Sequence, residues 1–150
     1  MKIAINGQIL LTREHKATGP YVYTENLVKT LARIDKVNKY VIYLSDQYTR
    51  DGDFTELTGG NPNFEVKVVH KTLSWTQIDL LKALWKDKPD VFFTAIHTMP
   101  ALSIFWLRTV VMVHGLEYGF SPVSNPIRKY TQALPIWFTT VFAKKIIVPS

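Results

Sequence analysis

Short apolar runs alternate along the chain with longer segments in which apolar residues recur at helical spacing. The apolar runs predict six strands, at residues 2–6, 39–44, 64–69, 91–95, 108–113 and 144–149. Most of them are continuous rather than alternating, which is typical of strands that are covered on both faces. The fourth and fifth strands are the most informative, because each runs directly into a histidine.

Three segments between the strands predict helices. The first opens at Gly19-Pro20, where proline fits the first turn, and its predicted buried face is Tyr23, Leu27, Leu31 and Ile34, with Val28 and Ala32 beside them. The second is predicted from Ser74 as the cap to about Lys86, with Trp75, Ile78, Leu81 and Trp85 on one side. The third follows Asn125-Pro126 and has an apolar stripe of Ile127, Tyr130, Leu134, Phe138, Val141 and Phe142. Pro135 lies inside that stripe and is expected to kink or split the helix.

This order of elements favours an α/β fold: a Rossmann-like, doubly wound, mostly parallel sheet with helices on both faces. Residues 1–150 suit a single domain. A last strand with no helix after it leads us to expect that the chain is cut from something longer or lacks a partner domain.

The composition excludes some kinds of site but does not identify the function. There is no cysteine, so disulfides and thiolate metal sites are excluded, and neither a signal peptide nor an apolar run of membrane-spanning length is visible. The formal charge of +6 favours an anionic partner, but no nucleic-acid recognition motif is present. We therefore expect a cytoplasmic protein that binds no nucleic acid.

The charges after Glu117 are all basic: Arg128, Lys129, Lys144 and Lys145. Two interpretations are open. The last helix could lie on an anionic membrane surface at the inner face of the membrane, or it could be a packed helix with cations near its carboxyl end, as the helix dipole prefers.

The candidate chemistry lies after the fourth and fifth strands. His97 and His114 follow these strands, and if the strands are neighbours both imidazoles reach the carboxyl edge, where open α/β sheets bind ligands. Glu117, three residues beyond His114, could act as a base or orient a ligand. A histidine in this position can also be a core or loop residue satisfied by the backbone. No third ligand for a metal is evident.

The loop before the first helix offers a second candidate. Gly19 at a helix start could let backbone amides approach a phosphate, or it could simply be a turn residue. Neither a dinucleotide-binding fingerprint nor a phosphate-binding loop motif is present. Asp51 and Asp53 resemble a metal-binding carboxylate pair, but their polar, turn-rich surroundings favour a solvated loop.

Several of these segments together resemble the start of the family 4 retaining glycosyltransferases. The similarity, in order and spacing, lies at residues 1–6, 19–31, 40–44, 110–118 and 143–150, and covers essentially the whole chain. The resemblance implies one half of a GT-B fold: an acceptor-side domain facing a nucleotide-sugar-binding domain that this sequence does not contain.

The resemblance also implies a reaction and a set of residues. The reaction is metal-independent transfer of a hexose, with retention, from a nucleotide sugar to a glycan or lipid-linked acceptor. The nucleotide sugar is a co-substrate, and no cofactor is implied. His114 and Glu117 fall at catalytic positions, Gly19 and Pro20 at the diphosphate contact, and His97, Thr98 and Arg13 on the substrate side. Alone, this domain is expected to be inactive.

One departure from the family pattern bears on the diphosphate contact. Where the family often has Gly-x-Gly-Arg, this chain has Gly19, Pro20, Tyr21 and Val22. Tyr21 is expected to crowd a diphosphate, and Val22 removes a positive charge. The alternative hypothesis is a standalone flavodoxin-like module that binds a phosphorylated ligand or a partner protein.

Overall fold

The fold is an open six-stranded parallel sheet in the order β3-β2-β1-β4-β5-β6. A computed structural model describes residues 1–11, 18–46, 54–114 and 126–148. The strands are β1 (Lys2–Asn6), β2 (Lys39–Ser45), β3 (Phe64–Val69), β4 (Val91–Thr94), β5 (Arg108–Met112) and β6 (Lys145–Ile147). Every pairing is parallel, which confirms the predicted fold class.

The helices are α1 (Gly19–Ile34), α2 (Thr55–Thr58), α3 (Leu80–Asp87) and α4 (Pro126–Phe142). Short 3₁₀ helices cover Gln8–Leu11 and Ala101–Phe105, and a π-helical turn, Trp75–Asp79, leads into α3. Pro100 immediately precedes the second of these 3₁₀ helices. Within the described ranges, no helix is long and apolar enough to cross a membrane.

Two core clusters, one on each face of the sheet, hold the layers together. One face packs against α1, where Val28 meets Ile5, Ile42 and Met112. The other packs against α3, α4 and the 3₁₀ helix before β5, with Leu84, Phe92 and Val111 at its centre. Helices therefore cover both faces, as the continuous apolar strands predicted.

The buried face of α1 agrees with the prediction at Val28 and Ala32 and differs from it at the other positions. Its buried residues are Tyr21, Thr24, Val28 and Ala32. Leu27 and Leu31 only flank the core, and Ile34 is 64% exposed. The small side chains of Thr24 and Ala32 let the helix backbone approach the sheet, and the larger residues then pack along the sides of the contact.

Three further predictions need correction. Ser74 precedes the π turn but makes no side-chain cap; its carbonyl oxygen instead accepts from the amides of Ile78 and Asp79. Trp85, predicted to be on the buried side of its helix, is 62% exposed and makes an edge-to-face contact with Trp106. α4 is not split at Pro135 and continues to Phe142.

The two outer strands are less covered than their sequences suggested. β6 was predicted as a strand, and all three of its residues are exposed. It pairs only with β5, and the order of the sheet places it at the edge. An apolar run predicts a strand, but its place in the sheet decides whether that strand is covered.

Candidate functional site

The two central strands define the place where a ligand would bind. β1 and β4 pair in the middle of the sheet, and the strand order runs outward from them in opposite directions. The crevice beyond the carboxyl ends of such strands is the usual ligand site of doubly wound folds. The observed order is the one typical of dinucleotide-binding folds, and it differs from the flavodoxin-like order.

The carboxyl end of β1 is fixed by two residues that the sequence did not single out for a role. Asn6 is 2% exposed and its side-chain amide donates to the Thr94 hydroxyl at the end of β4, at 3.3 Å. At Gly7 the chain passes so close to β2 that a Cβ atom would lie 2.6 Å from Leu44 Cδ2. Only glycine fits there, and the Asn-Gly pair after an apolar run was the available signal.

His114 lies at the amino-terminal end of α1. A Cβ atom at position 19 would be 3.8 Å from His114 Nδ1, so the imidazole stands directly beside Gly19. Tyr23, one turn into α1, meets the His114 ring edge-to-face with centroids 5.8 Å apart. The fifth strand and the first helix, more than seventy residues apart in sequence, therefore meet at this histidine.

The other ring nitrogen of His114 is buried. Within the described residues, His114 Nε2 has no hydrogen-bond partner. A buried polar atom without a partner is unfavourable, and such atoms are frequent where a ligand supplies the partner. Burial, and secondarily the nearby His97, lower the pKa of His114, so the ring is neutral at pH 7 and can donate or accept one hydrogen bond.

His97 follows β4 and is held by the opposite layer of helices. Its backbone carbonyl accepts from the Thr139 hydroxyl of α4 at 2.9 Å. Burial lowers the pKa of His97 as well. Because β4 and β5 are neighbours, the two histidines share one edge of the sheet, as the sequence predicted.

The structure thus brings together Gly19, Pro20, His97 and His114. Thr98 lies beside His97 in the loop after β4 and is half-buried. Arg13 and Glu117 lie outside the described residues, as do Asp51 and Asp53. Three residues that sequence reasoning missed complete the surroundings: Asn6, Tyr23 and Thr139.

Tyr21 does not lie beside the histidines. It is 8% exposed and lines a cavity on the α2 side of α1, with Leu10, Leu44 and Phe54. Burial is the main cause of its raised pKa, followed by the charge of Glu25. The expected crowding at the start of α1 is therefore not seen in this arrangement, since the ring packs into the core.

Potential metal ligands do not cluster in the part of the chain that the structure describes. No group of three or more His, Asp or Glu side chains lies in metal-binding proximity there. What the site offers is two neutral imidazoles and a helix amino terminus. Unpaired amides and the helix dipole favour an anion at such a terminus.

Fold and site together define a doubly wound, parallel α/β domain with two histidines at the carboxyl edge of its sheet, beside the topological switch point. Comparison with family models, with characterised proteins and with solved structures gives no match for this chain.

Proposed function

We propose that this chain is the acceptor-side domain of a retaining glycosyltransferase of GT-B architecture. The reaction would move a hexose from a nucleotide sugar to an acceptor such as a glycan or a lipid-linked intermediate. A second domain carrying most of the nucleotide contacts would close over the crevice. The proposal places the enzyme in the cytoplasm.

One observation carries the proposal: the neutral ring of His114 lies beside Gly19 at the start of α1, with Nε2 buried and unpartnered within the described residues. A donor sugar between the two domains would need a neutral hydrogen-bonding group next to an anion site. The imidazole would hydrogen-bond to the sugar, and the amino terminus of α1 would bind the diphosphate.

The chemistry of sugar transfer with retention requires stabilisation of the oxocarbenium-like sugar and of the leaving phosphate. The proposal assigns the leaving phosphate to the amides at the start of α1, without a bound metal. Burial of Tyr21 supports room for a diphosphate there, because its ring lines the cavity on the α2 side. His97 would help to bind the substrate at the same edge.

The test uses this chain joined to whatever follows it in its reading frame. The protein is assayed with a panel of nucleotide sugars and an extract of membrane lipids and glycans, and release of nucleoside diphosphate is measured. We expect one donor to be consumed, and His114→Ala to abolish the release. His70→Ala is the matched control, because the His70 side chain is 80% exposed.

Full turnover in His114→Ala would contradict the assigned role. If no donor is consumed while inorganic pyrophosphate still shifts the His114 resonances, the alternative of a module that binds a phosphorylated ligand replaces the enzyme proposal.

A further inference from the structure

The two helical layers differ in how many large apolar side chains they expose to solvent. The α1–α2 layer exposes two large apolar side chains, Val22 and Ile34, within the described residues. The opposite layer, formed by α3, the 3₁₀ helix before β5 and α4, exposes far more. These are Trp85, Leu102, Phe105, Leu134, Trp137, Val141 and Phe142.

α4 also turns large apolar side chains toward the solvent. Leu134, Trp137 and Val141 follow each other at intervals of three and four residues, so they share one face, and all three are more than half exposed. On the inward side, Thr139 is 1% exposed. A helix that packs a threonine against the domain and turns tryptophan outward has an apolar face that the domain itself does not use.

The same two helices carry or adjoin exposed lysines. Lys82 and Lys86 stand three residues before and one residue after Trp85 on α3, and both are exposed. Lys144 and Lys145 follow the end of α4 and are also exposed. We call Lys82, Trp85, Lys86, Trp137, Lys144 and Lys145 the basic aromatic face.

The acids of α3 and of the π-helical turn before it are largely buried. Asp79 is 5% exposed and accepts from Thr72. Asp87 pairs with Lys67 and leaves its side chain only 14% exposed. Residues 126–148 contain no acid. The α1–α2 layer differs, since it carries Glu25 and Glu56, and Glu25 pairs with Lys29.

From this asymmetry we propose that the basic aromatic face docks the domain on an anionic lipid bilayer. Tryptophan prefers the boundary between acyl chains and headgroups, and lysines near that plane are attracted to anionic lipid. The domain would lie on the membrane without crossing it. This proposal does not rest on the sugar-transfer reaction and can fail or succeed independently of it.

Charge also indicates whether a membrane or a second copy of this chain covers the basic aromatic face. Pairing two copies through this face would bring cations of the same sign together, which opposes association. Anionic lipid, in contrast, complements the lysines and accepts the apolar residues at the same time. The basic aromatic face is therefore better suited to binding an anionic lipid surface than to pairing with a second copy of the chain.

The experiment is flotation of the 150-residue chain with vesicles of phosphatidylcholine, with and without about 30% phosphatidylglycerol. We expect binding to the anionic vesicles that weakens as salt is raised, and little binding to the neutral ones. Each lysine near an anionic surface contributes a factor of about five to partitioning, so Lys144→Gln with Lys145→Gln should weaken binding about 25-fold.

Two controls separate the face from the overall charge and from folding. Arg33→Gln with Lys39→Gln removes the same charge from exposed residues of α1 and β2, and should leave binding within about twofold of wild type. Trp85→Ser with Trp137→Ser should weaken binding while the circular dichroism spectrum stays unchanged, since both residues are more than 60% exposed.

If the two charge-removal variants lose vesicle binding equally, the proposal is overturned, because the attraction to anionic lipid would then depend on the net charge of the protein alone. Indifference to phosphatidylglycerol would overturn it as well. Self-association would also overturn the proposal, if sedimentation velocity detects it in the wild type and not in the tryptophan variant. The basic aromatic face would then be an interface between copies of the chain.

Discussion

The Thr139 hydroxyl of α4 donates to the backbone carbonyl of His97, at 2.9 Å. This bond fixes the loop after β4 to the helix that follows β5, and so fixes one wall of the crevice. Thr139 is 1% exposed, which makes it the most buried described residue of its helix.

Replacing Thr139 by valine keeps the shape and removes the donor. We expect Thr139→Val to lower the free energy of unfolding by about 1–2 kcal/mol, since a buried carbonyl loses a partner. The matched control is Thr140→Val, because the Thr140 hydroxyl is exposed and bonds within its own helix, to the carbonyl of Trp137. Urea unfolding checks both, and equal effects would contradict a special role for the bond to His97.

Gly19 tests how closely His114 approaches α1. A Cβ atom at position 19 would make an ordinary contact with Nδ1, so Gly19→Ala should fold normally and gain about 0.4–1 kcal/mol from the less flexible unfolded chain. Gly19→Val adds methyl groups that reach the imidazole, and should displace it. Two-dimensional NMR of the histidine rings should show His114 shifted strongly in the valine variant and little in the alanine variant.

The two histidines influence each other through their charges. Burial is the first cause of the lowered pKa of His114, and His97 is the second. We therefore expect His97→Gln to raise the pKa of His114, as measured by NMR titration of the ring protons. His70→Gln should leave it unchanged, and an unchanged pKa in His97→Gln would show that the two rings do not interact.

Stability should fall in acid because both histidines are partly buried and their pKa values are lowered. Their folded-state pKa values are below 6.5, so the unfolded chain binds more protons than the folded chain at mildly acidic pH. The stabilisation is complete above about pH 6.5 and is lost as pH falls through the folded-state values. Urea unfolding at about pH 7.5 and 5.5 should show this loss, and it should shrink in the double variant His97→Gln with His114→Gln.

A further prediction on stability concerns the opposite side of the sheet from α1. The Tyr43 hydroxyl donates to Asp87 Oδ2 at 2.6 Å, and Lys67 Nζ lies 2.7 Å from the same oxygen. Burial alone would raise the pKa of Asp87, but the hydrogen bonds from Lys67 and Tyr43 outweigh it and keep the pKa below its usual value. This carboxylate therefore favours the folded state as an anion.

We expect Tyr43→Phe to destabilise the fold by about 1.5 kcal/mol or more, because a buried hydrogen bond to a charged group is lost. It should also bring the pKa of Asp87 back toward its usual value. A double-mutant cycle with Asp87→Asn, followed by urea unfolding, measures the coupling. Additive effects of the two substitutions would mean that this bond contributes nothing to stability.

Much of the fold followed from local pattern. Continuous apolar runs predicted parallel, covered strands, and the histidines after β4 and β5 predicted a shared edge. The strand order was not predictable in the same way, because pairing depends on contacts between residues far apart in sequence. For the same reason, Asn6 and Thr139 gave no sign that one would bond to Thr94 and the other to His97.

The sequence by itself determined the alternation of strands and helices, and hence a wound parallel sheet whose carboxyl edge carries His97 and His114. Only the tertiary structure decided which side of each helix turns inward. A helical stripe is broad enough to pack in more than one rotation, so Tyr21 became buried while Tyr23 only flanks the core, and on α4 Thr139 became buried beside the partly buried Phe138. Trp85 and Trp137 were thereby left at the surface, and His114 came to lie beside Gly19.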